Sequence, residues 1–404
     1  MESRKLILAV LFAAALPTCS FAQVPGDLDI TFSTDGIVTT DIQPPSSDNA
    51  SCMALQPDGR IVVAGNSIPQ VGGTYAVTLA RYMPDGSLDI SFGSGGTVST
   101  PIGTMDDAAH AIAFQLDGKI VVGGTSFENG SGYLFLMVRY NTDGWRTDNI
   151  GAGSEDRILS IALQIDGKIV AAGRASNGTE MDIALARYNA DGSLDNTFSG
   201  DGILISPVGP GDDEAVGVAV QPDQYIVIAG YSGDGTDDHF TVVRFTTDGT
   251  PDASFGTGGI VTTSYSTGID RAFAIALQPD GRILVGGLVS NGLQLNLAVM
   301  RYETDGDLDN TFGGDGMVIS LFSAFGNARS LALMPDGRVV AGGTSGSVFL
   351  LTVFNADGTP DNTFSGDGAL STSVGSNNYG NSVAVQADGK ILLAGTANFS
   401  ATLN

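Results

Sequence analysis

The sequence predicts an all-β protein, a seven-bladed β-propeller built from four-stranded antiparallel blades. A motif that begins at Gln56 with QPDGRIVVAG occurs seven times, at intervals of 49 to 59 residues, and such a period is typical of proteins that repeat one supersecondary unit. Most copies carry an Asp-Gly turn between two β-rich runs, which is the strongest short signal for a β-hairpin. Two more β-rich runs precede the next copy, so each unit supplies four strands. The copies begin at Gln56, Gln115, Gln164, Gln221, Gln278, Met334 and Gln386.

We name the four strands of a unit a to d in chain order. Strand a precedes the Asp-Gly turn and strand b follows it, as Met53–Leu55 and Ile61–Val63 do in the first copy. Strand c is a Leu-Ala-Arg-Tyr segment such as Leu79–Tyr82, and strand d is a Gly-Ile-Val-Thr-Thr segment. If strand a runs from top to bottom, the b–c and d–a loops lie together on the top face.

The two ends of the chain predict how the propeller closes. Residues 26–40 match the late part of a unit, whereas the chain ends just after an early part. We therefore expect strand d at Ile37–Thr40 to pair with a strand c at Phe399–Leu403, because two unpaired sheet edges would otherwise remain.

The first 22 residues predict a secretory signal peptide. Arg4 and Lys5 precede an apolar run, Leu6–Leu16, which is too short to span a membrane, and a small-residue cleavage site ends at Ala22. We expect residues 23–404 to form one propeller domain, secreted to the periplasm or the exterior, without a membrane span. Surface anchoring is left open.

Composition restricts the partners. The net charge is −26, with 18 basic against 44 acidic residues, and phosphate binding needs clustered basic side chains, so we expect no nucleic acid. The acidity predicts a soluble, monomeric protein. Cys52 belongs to a stripe of small residues on strand a, so we interpret it as a buried side chain of the narrow inner strand.

The second unit departs from the pattern. Only 17 residues separate Arg139 from Asp156, against 26 in three other units, and most of strand d is replaced by a segment with the only tryptophan, Trp145. Strand c at Leu134–Tyr140 could be a bare edge that accepts a partner strand. Alternatively, the local loop covers it.

The motifs resemble a known family. The pattern Q-P-D-G-[KR]-I-V-V-A-G, followed by L-A-R-Y-N-x-D-G-S-L-D-x-x-F-G-x-G-G, resembles the delta-60 repeat of secreted and surface bacterial proteins, and it covers nearly all of residues 23–404. The resemblance implies a propeller and no enzymatic activity.

Five aspartates stand eight residues before the motif, at the top of strand a. Five carboxylates at equivalent positions could collect Ca²⁺, which prefers several oxygen ligands; the alternative is capping and turn hydrogen bonding. These candidate metal ligands are Asp48, Asp107, Asp156, Asp213 and Asp270.

Strand c carries an arginine at one repeated position. We expect it to bind the acidic c–d turn, as Arg81 would bind Asp89 and Arg187 would bind Asp195. Val353 holds the position in the sixth copy.

No catalytic constellation is identifiable, so the sequence predicts a binding or scaffold module and not an enzyme. We expect its top-face loops to recognise a glycan, peptide or protein, with Asp237, Asp238, His239 and Trp145 as candidate ligand contacts. His110 is the less promising histidine, expected to face a neighbouring blade. The alternative function is a metal-dependent propeller hydrolase or lactonase with its site at the axial mouth.

Overall fold

The computed structural model describes residues 3–11, 25–42, 47–68, 73–140, 145–148, 156–290, 292–320 and 326–399. Within these ranges every regular element is a β-strand, and the strands form antiparallel four-stranded sheets. No helix of the described residues is long and apolar enough to cross a membrane.

Six sheets are blades, each made of four strands that follow one another in the chain. The first two strands of the chain are β1 (Ser3–Leu11) and β2 (Ile37–Thr40), which belong to another sheet. Blade 1 consists of β3 (Asp48–Leu55), β4 (Ile61–Ser67), β5 (Ala76–Tyr82) and β6 (Thr97–Thr100); blade 2 of β7 (Asp107–Phe114), β8 (Ile120–Glu128), β9 (Gly132–Tyr140) and β10 (Trp145–Asp148). Blade 3 consists of β11 (Arg157–Leu163), β12 (Ile169–Ser176), β13 (Met181–Tyr188) and β14 (Ile203–Ser206); blade 4 of β15 (Asp213–Val220), β16 (Ile226–Gly233), β17 (Asp238–Phe245) and β18 (Ile260–Thr263). Blade 5 consists of β19 (Arg271–Leu277), β20 (Ile283–Ser290), β21 (Leu295–Tyr302) and β22 (Met317–Ser320); blade 6 of β23 (Gly326–Leu333), β24 (Val339–Ser345), β25 (Val348–Phe354) and β26 (Ala369–Thr372).

The prediction of a seventh blade closed by strand d on a C-terminal strand c is wrong. The last strands, β27 (Asn378–Val385) and β28 (Ile391–Phe399), form a composite sheet in the order β2-β1-β28-β27. Strand β1 pairs with β28 from Ser3 opposite Phe399 onward, and β2 pairs with β1. Ile37–Thr40 therefore does not pair with Phe399–Leu403; Phe399 still belongs to strand b, and residues 400–404 lie outside the described ranges. The described residues form six four-stranded blades.

The second unit keeps a strand d, and at four residues it is as long as the strand d of the other blades. Trp145–Asp148 pairs antiparallel with β9, with Trp145 opposite Val138. Strand c of this blade is thus paired along that stretch, which favours the interpretation that a local segment covers it.

The chain divides into two compact units. Unit 1 comprises residues 1–101 and 320–404, and unit 2 comprises residues 102–319. Unit 2 contains blades 2 to 5, and its core lies between the faces of consecutive sheets. Val121 of blade 2, for example, shares a cluster with Ile158 of blade 3, and Val227 of blade 4 shares one with Val285 of blade 5. In unit 1 the composite sheet packs in the same way on blade 6 and on blade 1.

Strand a of each blade carries a β-bulge. The small residue that follows the bulge packs against strand a of the neighbouring blade. In blade 3 the bulge lies between Ile158 and Ser160, and the Ser160 hydroxyl accepts a hydrogen bond from the Val218 amide of blade 4 at 3.1 Å. In blade 4 a Cβ on Gly217 would come within 2.8 Å of Ile275 of blade 5. Small side chains at this position therefore let successive inner strands approach closely, as the stripe of small residues predicted.

Candidate functional site

The a–b turns have one geometry in which an aspartate and a glycine have separate roles. In blade 1 the Gly59 amide donates to the Gln56 carbonyl at 2.9 Å, and Asp58 accepts the Arg60 amide at 3.1 Å. Gly59 has a φ of 84°, a left-handed conformation that glycine adopts without a steric penalty. In blade 4 Gln224 holds this position with a φ of 70°. That backbone is unfavourable for a residue with a Cβ.

The predicted pairing of strand-c arginines with the c–d turn is confirmed in blades 1, 3, 4 and 5. Arg187 donates from Nε to Asp195 at 2.7 Å, and Lys168, just before strand b, lies 3.3 Å from the same carboxylate. Burial alone would raise the pKa of Asp195, but hydrogen bonds from Thr197 and Lys168 and the charge of Arg187 hold it well below its ordinary value. These ion pairs close the turn of their own blade, so their role is structural. Equivalent pairs are Arg81–Asp89, Arg244–Asp252 and Arg301–Asp309.

The five aspartates predicted as metal ligands lie one to a blade, and each is buried. Asp107 accepts the Ile102 amide at 2.7 Å, which holds the d–a loop that leads into its blade, and it accepts the Ser126 hydroxyl of strand b at 2.6 Å. Asp213 accepts the Val208 amide of the loop that leads into blade 4 at 2.6 Å. Asp48 and Asp270 make the same loop contact with the Ile42 and Tyr265 amides, whereas Asp156 accepts the Ser176 amide at the end of strand b.

These carboxylates are not brought together. Within the described ranges, no group of three or more histidine, cysteine, aspartate or glutamate side chains is arranged to hold a metal ion. In the composite sheet Asn378 holds the same position and accepts the Val374 and Gly375 amides at 3.1 and 2.9 Å. Because a neutral amide oxygen performs the same contact, loop closure needs an acceptor and not a charge.

The predicted ligand contacts on the top face that the structure describes are engaged with neighbouring residues of the protein. Asp238 binds Arg271 at 2.6 Å, and His239 contacts the Ser264 hydroxyl at 2.8 Å and Asp234 at 3.4 Å. The Asp237 carbonyl accepts the amide of Asp234 at 3.0 Å, which closes the b–c turn. The side chain of Trp145 lies outside the described part of the chain.

His110 is the extra residue of the β-bulge in strand β7. Its Nε2 lies 3.1 Å from the Thr125 hydroxyl. Burial, together with the nearby charge of Arg157, lowers the pKa of His110 to about 4. This histidine is therefore neutral at physiological pH and part of the packing of blade 2.

A cavity of about 600 Å³ lies among the a–b turns of unit 2, on the face opposite the predicted ligand surface. The last residue of strand a in each of the four blades forms its apolar wall. These residues are Phe114, Leu163, Val220 and Leu277. No charged side chain of the described residues lines it.

The anchor glutamines of the same four blades also line this cavity, at Gln115, Gln164, Gln221 and Gln278. The Oε1 atom of each is buried and has no hydrogen-bond partner in the structure. Three of these side chains are more than nine-tenths buried, with exposed fractions of 8, 7 and 6% at Gln115, Gln164 and Gln221. An unpaired buried carbonyl oxygen costs free energy, so the cavity offers acceptors that a ligand with N–H or O–H donors would satisfy.

Two apolar side chains stand at the mouth of the cavity. Leu116 is 94% exposed and Ile165 is 80% exposed, at the turn position where four of the other copies carry proline. Exposed aliphatic residues beside a concave apolar surface are typical of a binding site. This site was not predicted from the sequence, although the replacement of proline by Leu116 and Ile165 in adjacent copies could have indicated it.

A smaller cavity of about 340 Å³ adjoins the first and shares Gln164, Ile165 and Gln224 with it. Charged side chains line this one, namely Asp166, Lys168, Arg187 and Asp248. Both cavities lie wholly within unit 2.

Comparisons with known proteins agree with the fold. Six segments of the chain match the family described as "Domain of unknown function (DUF5122) beta-propeller", and together they make up half of its residues: 56–92, 115–144, 164–198, 221–255, 278–312 and 335–364. The chain belongs to this β-propeller family. The match confirms the predicted class of propeller repeat, whereas the resemblance to the delta-60 repeat stays an expectation.

Several solved structures match most of the chain at low sequence identity. Sqt1 from Chaetomium thermophilum is 16% identical with a TM-score of 0.43, covering 84% of this chain and 75% of that one. The same protein bound to the N-terminus of the ribosomal protein L10 is 14% identical, with a TM-score of 0.41 and coverage of 84% and 78%. TolB from Acinetobacter baumannii is 14% identical, with a TM-score of 0.41 and coverage of 85% and 67%. A search of curated proteins found no match.

Proposed function

We propose that this chain is a secreted binding module that recognises a peptide segment of a protein partner at the uncharged cavity of unit 2. The observation that carries the proposal is the combination of apolar walls with buried, unsatisfied glutamine oxygens in one concave site. An extended peptide has apolar side chains that would fill the cavity and backbone N–H groups that would donate to the glutamine oxygens.

A peptide fits this site better than a glycan. The cavity has a single aromatic ring, that of Phe114, on which a sugar could stack. Its exposed mouth is aliphatic, formed by Leu116 and Ile165. Burying these two side chains against a partner would contribute roughly 1.5–3 kcal/mol each.

The test is selection of peptides from a randomised displayed library on the purified chain, followed by affinity measurement with the selected peptides. We expect the double variant Leu116→Glu/Ile165→Glu to weaken binding at least tenfold, because both changes put charge at the apolar mouth. Both side chains are exposed, so the variant should fold. Ile90→Glu is the matched control, since Ile90 is also 79% exposed but does not line the cavity.

The top-face alternative is measured in the same assay. Asp237→Ala/His239→Ala alters the loop surface without touching the cavity. Loss of binding in this variant, with full binding by Leu116→Glu/Ile165→Glu, would move the ligand site to the top face. Failure to select any peptide would overturn the proposal.

Secretion has its own test. N-terminal sequencing of the protein from a secreting bacterial host should give a chain that starts at Gln23. A chain that retains Ser3–Leu11 would contradict the signal-peptide prediction and would leave β1 in the composite sheet.

A further inference from the structure

The residue between the two cavities is the one that breaks the repeat pattern. Gln224 stands where the other six copies carry glycine, and it keeps the left-handed backbone that glycine would adopt, with a φ of 70°. Its Oε1 atom accepts the Ile165 amide at 3.2 Å, which links the a–b turns of blades 3 and 4. Gln224 and Ile165 therefore form a ridge that belongs to the walls of both cavities.

The chemistry changes across this ridge. On one side lies the uncharged cavity, and on the other side lie Asp166 and Asp248 together with two cations. Both cations are already engaged, because Lys168 and Arg187 bind the buried carboxylate of Asp195 at 3.3 and 2.7 Å.

Counting that carboxylate, three acidic groups face two basic ones, so the smaller cavity has an excess of negative charge. The side chain of Asp166 is 51% exposed. Hydrogen bonds from Thr246 and Thr250 lower the pKa of Asp248 to about 2, which keeps it ionised. The chain as a whole carries a net charge of −26, which adds to the attraction of a cationic ligand.

We propose that the two cavities form one continuous site for an extended peptide, in which an apolar side chain fills the uncharged cavity and a lysine or arginine side chain enters the smaller one across the Gln224 ridge. This inference rests on the proposed function and adds the charge selectivity of the partner. An acidic side chain fits the smaller cavity poorly, because its two cations are already paired, Arg187 with Asp195 and Lys168 with both Asp195 and Asp166. Gln224 is thus a specificity-determining residue, and its unfavourable backbone is retained for the ridge that a glycine could not form.

The probes are fluorescent hexapeptide pools in which one position is fixed as Leu and a second as Lys, Glu or Ala, with the rest randomised. Binding to the full chain is measured by fluorescence anisotropy at low and at moderate salt. We expect the Leu/Lys pool to bind at least tenfold more tightly than the Leu/Glu pool, and we expect the ratio to fall as salt increases.

Two variants test where the selectivity arises. Asp166→Asn/Asp248→Asn keeps the acceptor oxygens of both turns but removes their charge, which leaves one acidic group against two basic ones, so the Lys-to-Glu ratio should fall to one or below. Gln224→Gly restores the residue of the other copies and should reduce the ratio at least threefold, with circular dichroism reporting that the fold is retained. Asp280→Asn is the control, because Asp280 holds the same turn position in blade 5 and lines neither cavity.

The outcomes separate the inference from the proposed function. Pools that bind with no preference for Lys, or a preference that survives Asp166→Asn/Asp248→Asn unchanged, would overturn the inference and leave peptide binding intact. No binding of any pool would overturn the proposed function itself. A preference for the Leu/Glu pool would show that the smaller cavity selects anions and would also overturn the inference.

Discussion

Replacing Asp213 by alanine should open the d–a loop that leads into blade 4, and the hydrogen bonds of this side chain set the size of the loss in stability. The side chain is fully buried, and Oδ2 accepts the Val208 amide at 2.6 Å and the Gly209 amide at 3.0 Å. Each hydrogen bond to a charged acceptor contributes about 1.5 kcal/mol net, so losing two should lower the free energy of unfolding by about 3 kcal/mol. Urea denaturation followed by circular dichroism measures this difference, and amide hydrogen exchange at Val208 and Gly209 should accelerate.

Asp213→Asn is the matched control for that prediction. Asn378 already performs the same contact in the composite sheet, so the asparagine variant should lie within about 1 kcal/mol of the wild type. Burial raises the pKa of Asp213, so this carboxyl binds a proton more tightly in the folded than in the unfolded chain. The contribution of this group to stability consequently falls as pH rises from its ordinary pKa towards the raised one, and the asparagine variant should lack that slope. An alanine variant as stable as the wild type, or an asparagine variant as damaged as alanine, would refute the reasoning.

Three further predictions concern packing and ionisation. Gly217→Val should lower the free energy of unfolding by about 1–3 kcal/mol through overpacking against Ile275, and an unchanged urea midpoint would contradict it. Burial raises the pKa of Cys52 to about 12, so its reaction with a disulfide reagent at pH 8 should be at least ~100-fold slower than that of a free thiol; rapid labelling of the folded protein would be the contrary result. Burial acts to raise the pKa of Asp309, but hydrogen bonds from Thr311 and from Arg301 lower it to about 2, so its stabilisation is complete above the ordinary pKa near 4 and is lost as pH falls towards 2. Asp309→Asn should therefore be less stable than the wild type by up to about 2 kcal/mol at pH 7. This difference in the free energy of unfolding should disappear between pH 4 and 2, and a difference that stays constant with pH would show that ionisation of Asp309 is not its cause.

Features that recur in most copies could be predicted from the sequence, because recurrence identifies what a blade requires. The Asp-Gly hairpin at Asp58 and Gly59 and the pairing of Arg187 with Asp195 both follow from local spacing and charge. The pairing of the two chain ends in the composite sheet could not be predicted, because it depends on which backbone edge pairs with β28. The apolar run that includes Leu6–Leu11 suits a leader peptide and a β-strand equally well, and only the sheet order shows Ser3–Leu11 between β28 and β2.

The candidate site was missed for a different reason. Sequence analysis could locate acidic residues on the top face but not their partners, and Asp238 proves to be neutralised by Arg271 from the next blade. The cavity, in contrast, forms where four strand ends converge, which no single copy encodes. Around the cavity, Leu116, Ile165 and Gln224 depart from the repeat pattern. They form a site together only because the four strand ends converge there.

In blades 1, 3 and 5 the carboxylate of the c–d turn is contacted by two cations, one from strand c and one from the residue just before strand b, and blade 6 shows what this arrangement permits. There Val353 occupies the arginine position of strand c, yet Arg338, just before strand b, still binds Asp361 at 2.7 Å. A blade can thus lose one of its two counterions and keep the buried charge compensated. Such redundancy gives a tandem array mutational tolerance: individual units can diversify their exposed residues without unravelling, and one corner of a repetitive scaffold can become distinct from the others.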